Sequence, residues 1–109
     1  MSAGMMELSK ENFHEEVMNS DLPVMVDFWG PKCVPCLALM PEVEKLMGEY
    51  ENKVKFYKLN AAENRRLCIE LKVMALPTFL FYKAGALVDQ LTGGDVTREN
   101  IVAKLESLV

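Results

Sequence analysis

Apolar positions along this 109-residue chain change their spacing from segment to segment, between near-continuous runs and intervals of three or four residues. That alternation predicts an α/β fold. Residues 6–8 read as a short strand, and Ser9 is placed to cap a helix carrying Phe13, Val17 and Met18 on one face and ending near Asn19 and Ser20. Residues 23–29 are almost wholly apolar, the pattern of a strand buried on both faces at the centre of a sheet. After the turn residues Gly30 and Pro31, a helix is predicted from about Cys33 to Tyr50. Its apolar face holds Leu39, Val43, Leu46 and Met47, and Pro41 is expected to kink it.

Residues 54–59 form the next predicted strand, followed by a short helix from Arg65 to Leu71. Residues 78–82 and 86–91 flank Lys83, Ala84 and Gly85, which predicts two antiparallel strands joined by a tight glycine turn. Thr97 is the expected cap of a last helix whose stripe is Ile101, Val102, Leu105 and Leu108. Neither a repeat nor a Gly/Ser-rich linker interrupts the pattern, so residues 1–109 are expected to form one domain.

Composition narrows the function. Half of the residues are hydrophobic and 26% are charged, enough for one core with an ordinary polar surface. A net charge of −4 offers no basic surface to a phosphate backbone, which argues against nucleic acid and for protein partners. The first seven residues lack a basic region followed by an apolar run, and no stretch of 18 apolar residues occurs. No membrane association and a cytoplasmic location are therefore expected.

Three cysteines are too few for a stapled secreted scaffold, and two of them, Cys33 and Cys36, lie three residues apart. Just after a central strand and at the start of a helix, this spacing reads as a redox pair. Side chains three apart on a first helical turn need only a small adjustment to form a disulfide. Unpaired amides and the positive end of the helix dipole favour a thiolate at Cys33, the expected nucleophile. Cys36, one turn deeper, is the expected resolving thiol. Its proton needs an acceptor, for which Asp27, a carboxylate inside an apolar strand, is the candidate, with Lys58 on the next strand as its partner. Zinc is the bland alternative, but only Cys68 and His14 remain to complete four ligands. Cys68 reads as a small buried hydrophobe, His14 as a surface residue, and the eight methionines as gap fillers.

Residues 26–29, then Cys33-Val34-Pro35-Cys36, Pro41, residues 58–60, residues 75–78, Gly85 and Gly93 together resemble the thioredoxin family in order and spacing over most of the chain. The resemblance implies a central five-stranded mixed sheet flanked by four helices, with a cis Leu76–Pro77 bond facing the cysteines. It also implies a protein-disulfide reductase that needs no cofactor of its own, acts as a monomer, and is recharged by a thioredoxin reductase. A substrate surface is implied at Trp29, Lys32, Val34, Pro35, Leu76 and Gly93, where the exposed backbone at Leu76 pairs with an extended substrate. Two positions depart from the family pattern: Lys32 stands in place of tryptophan and Val34 in place of glycine. Lys32 is expected to favour the Cys33 thiolate and acidic partners, and the pair of changes to narrow the partner range. Pro35 is the residue of reducing members. A disulfide oxidase or isomerase, or a non-catalytic interaction module of the same fold, are the alternative readings.

Overall fold

The chain organises itself around its most apolar segment, because a strand without a polar face can only be satisfied between two layers of side chains. In the computed structural model, which describes residues 4–109, that segment is β2 (Val24–Trp29), buried from Val24 through Phe28. Met1–Ala3, the start of the expected domain and of the stretch read for a leader, lie outside the described residues. The other strands are β1 (Met6–Leu8), β3 (Lys55–Asn60), β4 (Thr78–Lys83) and β5 (Ala86–Thr92), joined in the order β1-β3-β2-β4-β5. β1 and β2 run parallel to β3, whereas β4 is antiparallel to both β2 and β5. Four helices accompany this mixed sheet: α1 (His14–Met18), α2 (Val34–Glu49), α3 (Arg65–Glu70) and α4 (Arg98–Leu108). The expected α/β architecture of five strands and four helices is the one observed.

Alternation along the strands splits the core between the two faces of the sheet. Met25, Phe79 and Phe81 pack with Val43 and Leu46 of α2 and Ile101 and Leu105 of α4. Val24, Val26, Phe28 and Leu80 face the other way, onto Phe13 and Val17 at α1 and Cys68 of α3. Asp27 lies two residues from Met25 and in register with Phe79, which puts it on the face covered by α2 and α4.

The first helix differs from expectation. It is a five-residue π-type turn entered from Phe13, with no side-chain cap, and Ser9 does not start it. The Ser9 hydroxyl instead accepts the Glu11 N–H (3.3 Å), and the Asn12 carboxamide oxygen accepts the Ser9 N–H (2.8 Å). These side-chain bonds offer the backbone a compact turn where a first helical turn was predicted. Thr97 does cap its helix, its hydroxyl accepting the Asn100 N–H at 3.1 Å. α2 runs unbroken through Pro41, whose ring is exposed.

In the β4–β5 hairpin, Lys83 pairs with Ala86 across Ala84 and Gly85, both at positive φ (54° and 79°), the twist that joins antiparallel strands most tightly. A Cβ at Gly85 would stand 3.0 Å from the Met18 carbonyl oxygen, so glycine is required there for space as well as for conformation.

Candidate active site

β2 carries the chain out of the sheet, and a tight turn reverses it: the Cys33 N–H donates to the Gly30 carbonyl at 3.0 Å. Cys33 is the N-cap of α2, extended at φ −90° and ψ 98°, and its sulfur accepts the Cys36 N–H at 3.3 Å. Val34 and Pro35 form the first helical positions, where proline's missing donor costs nothing. This geometry leaves the Cys33 and Cys36 Cα atoms 5.2 Å apart, and the two sulfurs are bonded. Cys36 is 1% exposed and Cys33 half-buried, between the exposed Lys32 and a Val34 that is 75% exposed. An incoming sulfur therefore meets Cys33 and not Cys36.

A second loop closes against the first. The Leu76–Pro77 bond is cis, with Pro77 buried and Leu76 half-buried. The loop is braced on two sides. The buried Thr78 hydroxyl donates to the Ala75 carbonyl (2.6 Å) and meets the Thr92 hydroxyl (2.9 Å), while the Gly93 N–H donates to the Pro77 carbonyl at 2.8 Å. Gly93 adopts φ 59°, which favours glycine. A Cβ on Gly30 would lie 3.2 Å from Leu76 Cδ1, so the smallest residue lets the two loops touch. Between them and the 3₁₀ turn Ala61–Glu63 lies a cleft of about 520 Å³ lined by Gly30, Pro31, Lys32, Cys33, Ala61, Ala62, Arg65 and Leu76.

Of the residues expected to meet substrate, Lys32 and Leu76 line this cleft with Cys33. Val34 and Pro35 are exposed on the first turn of α2, and Gly93 supports Pro77 from behind. Trp29 is not in the cleft wall; its indole N–H donates to a Glu7 carboxylate oxygen at 3.0 Å.

Asp27 is 1% exposed, and neither of its carboxyl oxygens has a hydrogen-bond partner. Loss of solvation is the main cause that raises its pKa from the ordinary 3.8 to about 7; the Lys58 ammonium opposes the rise and the Glu7 carboxylate adds to it. Lys58 stands in register with Asp27 on β3, yet among the described residues it forms no ion pair with it. Its ammonium lies 5.7 Å from the centroid of the Trp29 ring, a cation–π distance. Lys58 is thus a charged neighbour of Asp27 and not its hydrogen-bonded partner.

Sequence reasoning missed Glu7, Thr78 and Arg65. Glu7 joins the site because β1 pairs with β3 so that Glu7, Lys58 and Asp27 fall in one row across three strands. The cysteine outside the pair, Cys68, is buried in α3, and desolvation pushes its thiol up. His14 is exposed. Among the described residues no three of His, Cys, Asp and Glu converge as metal ligands, and no helix is long and apolar enough to cross a membrane.

Comparison with known proteins supplies the remaining evidence. The family model for thioredoxin matches residues 4–107. The chain is similar to a thioredoxin of Peptoclostridium acidaminophilum, with 47% identity over 105 residues and 96% of each chain covered. A thioredoxin of Acetoanaerobium sticklandii is 41% identical over 105 residues, covering 96% of this chain and all of that protein. One from Synechocystis is 38% identical over 100 residues, covering 92% of each.

Proposed function

This chain belongs to the thioredoxin family and is a thiol–disulfide oxidoreductase, and from that premise we propose that Cys33 attacks, Cys36 resolves and Asp27 takes the proton in reducing protein disulfides. In the reduced protein the Cys33 thiolate attacks one sulfur of a substrate disulfide. A Cys33–substrate bond forms, the substrate bond breaks, and the first substrate sulfur leaves as a thiolate that takes a proton from solvent. Cys36 then gives its proton to the Asp27 carboxylate and attacks the Cys33 sulfur. The second substrate thiolate leaves, the Cys33–Cys36 disulfide forms, and Asp27 passes its proton on through water to that thiolate. Two electrons and two protons have moved to the substrate.

A pKa near 7 suits a group that must accept and release a proton at neutral pH, whereas an ordinary aspartate accepts poorly. Lys58 and Glu7 tune Asp27 from the same row of the sheet. Leu76, beside the cis Pro77, offers its backbone to an extended substrate, with Val34 and Pro35 on the rim, Gly93 bracing Pro77 and Trp29 at the end of β2 leading into the first loop. The single observation that carries this reading is the asymmetry of the pair, a reachable sulfur capping a helix and bonded to a buried one.

The domain spans residues 1–109, acts as a cytoplasmic monomer, and is recharged by a thioredoxin reductase. Pro35 favours the reducing direction over an oxidase or isomerase. Trapping tests the assignment of roles: Cys36→Ser accumulates mixed disulfides through Cys33, while the unmodified chain turns substrate over and accumulates none. Mixed disulfides forming through Cys36 in a Cys33→Ser variant at the same rate contradict it.

A further inference from the structure

Two cations line the cleft beside Cys33, and the described fold uses neither. Lys32 precedes the nucleophile, and Arg65, the first residue of α3, is part of the same lining. Both side chains are exposed, and none of the four ion pairs among the described residues involves either one. Arg65 does nothing for its own helix, since a cation at a helix N-terminus opposes the dipole. The remaining wall is small or apolar, with Gly30, Ala61, Ala62 and Leu76, and it contains no carboxylate. A chain of net charge −4 thus concentrates unpaired positive charge at the spot where substrate sulfur must enter.

We propose that this cleft reads a carboxylate: Lys32 and Arg65 together bind an aspartate or glutamate of the substrate protein lying within a few residues of the disulfide sulfur that Cys33 attacks. The inference rests on the reductase reading above and names the substrate class of that site. The covalent steps are unchanged; the acidic residue only holds the substrate disulfide beside Cys33. A volume of about 520 Å³ falls among sites that take a small ligand or a few residues of chain, roughly 300–1,000 Å³, and is too small for a globular partner to enter. The occupant is therefore an extended acidic segment. Lys32, a flexible point charge, and Arg65, a planar fork, both line this cleft and together bind the one carboxylate. At exposed positions such pairs act chiefly on encounter rate and partner choice.

Two disulfide peptides, identical except for Glu or Gln two residues from the cysteine, provide the test, with kcat/KM for reduction by the full chain as the readout. At low salt the Glu peptide is reduced about three- to tenfold faster, and the advantage shrinks as ionic strength rises. Lys32→Gln and Arg65→Gln each lower the Glu/Gln ratio, the double variant brings it to one, Arg65→Lys keeps most of it, and Arg65→Glu turns the preference toward a Lys peptide. Equal rates for the two peptides, or a ratio that survives in the double variant, overturn the proposal. So does a charge-dependent advantage seen only with glutathione disulfide, which would make the occupant a small molecule. Reduction of neutral 2-hydroxyethyl disulfide separates the two levels: if it proceeds while the peptides show no preference, the subsite fails alone, and if no disulfide is reduced, the reductase reading fails with it.

Discussion

Cys33 and Cys36 share one bond, yet the surroundings on its two sides differ in almost every physical respect. Outside, Lys32, Val34 and Arg65 stand in solvent, with charge held in high dielectric and apolar surface uncovered. Inside, Cys36 is sealed into the protein, and Asp27 lies with both oxygens unpartnered on the sheet face that α2 covers. An exposed charge is worth little in stability but acts at a distance on arriving partners. A buried charge is costly and for that reason has a shifted pKa able to serve proton transfer. With the proposed roles, the contrast becomes a division of labour in which the inner side governs how the disulfide reacts and the outer side which partners reach it.

Asp27→Ala should break the inner half of this comparison with the largest effect. The unfolded chain releases the Asp27 proton near the ordinary 3.8 and the folded chain near 7, so between those values the folded state binds more protons. Stability of the unmodified protein therefore falls as pH rises from about 4 to about 7 and stays reduced above that. At about 1.4 kcal/mol per pH unit, the ionised carboxylate costs the fold about 4 kcal/mol. Urea unfolding at pH 8 should show the alanine variant more stable by up to that amount, and the gain should vanish near pH 4, while resolution of the mixed disulfide slows. Equal stabilisation at both pH values would mean that the carboxylate is not the cause.

Alkylation of the reduced protein compares the two sides directly. Cys33 should react with iodoacetamide at least about 100-fold faster than Cys36 or Cys68 at neutral pH, because burial protects both of the latter. Mass spectrometry of timed digests reads the ratio, and comparable rates at Cys33 and Cys36 would erase the distinction.

Glu7 and Lys58 give the smallest and most discriminating effect, since they act on Asp27 with opposite sign. Glu7→Gln should move the pH profile of mixed-disulfide resolution to lower pH and Lys58→Met to higher pH, both measured by stopped-flow Trp29 fluorescence. Shifts in the same direction would show that the row across β1, β3 and β2 does not tune the carboxylate.

How much of this was legible beforehand follows from the range of each signal. β2, a tight glycine turn between two antiparallel strands, the Thr97 cap and the Cys33–Cys36 pair are written in residues close together in the chain and were readable there, although Lys83, read as part of the turn, ends β4 and pairs with Ala86. The first helix was misread because Ser9 and Asn12 carry the same side chains whether they cap a helix or close a turn. Glu7 was missed for a different reason. Its place beside Lys58 depends on the register of β1 against β3, which no local pattern encodes. Arg65 shares the cleft lining with Gly30, Pro31, Lys32 and Cys33 through tertiary packing, so its spacing from the cysteines carries no hint. Lys58 was legible as a charged neighbour of Asp27 on the next strand, but its cation–π distance to Trp29 was not, because that depends on how the side chain lies across the sheet.

On the proposed mechanism, an outer and an inner cysteine open and close one bond reversibly. A redox titration across a series of dithiothreitol buffers, followed by the fluorescence of the single tryptophan, Trp29, tests it most directly. One two-electron transition is expected, with a tenfold change in the oxidised-to-reduced ratio for every ~30 mV. The same curve should be traced in both directions, and Cys36→Ser should abolish it. A one-electron slope, a curve that does not retrace, or a transition that survives Cys36→Ser would contradict it.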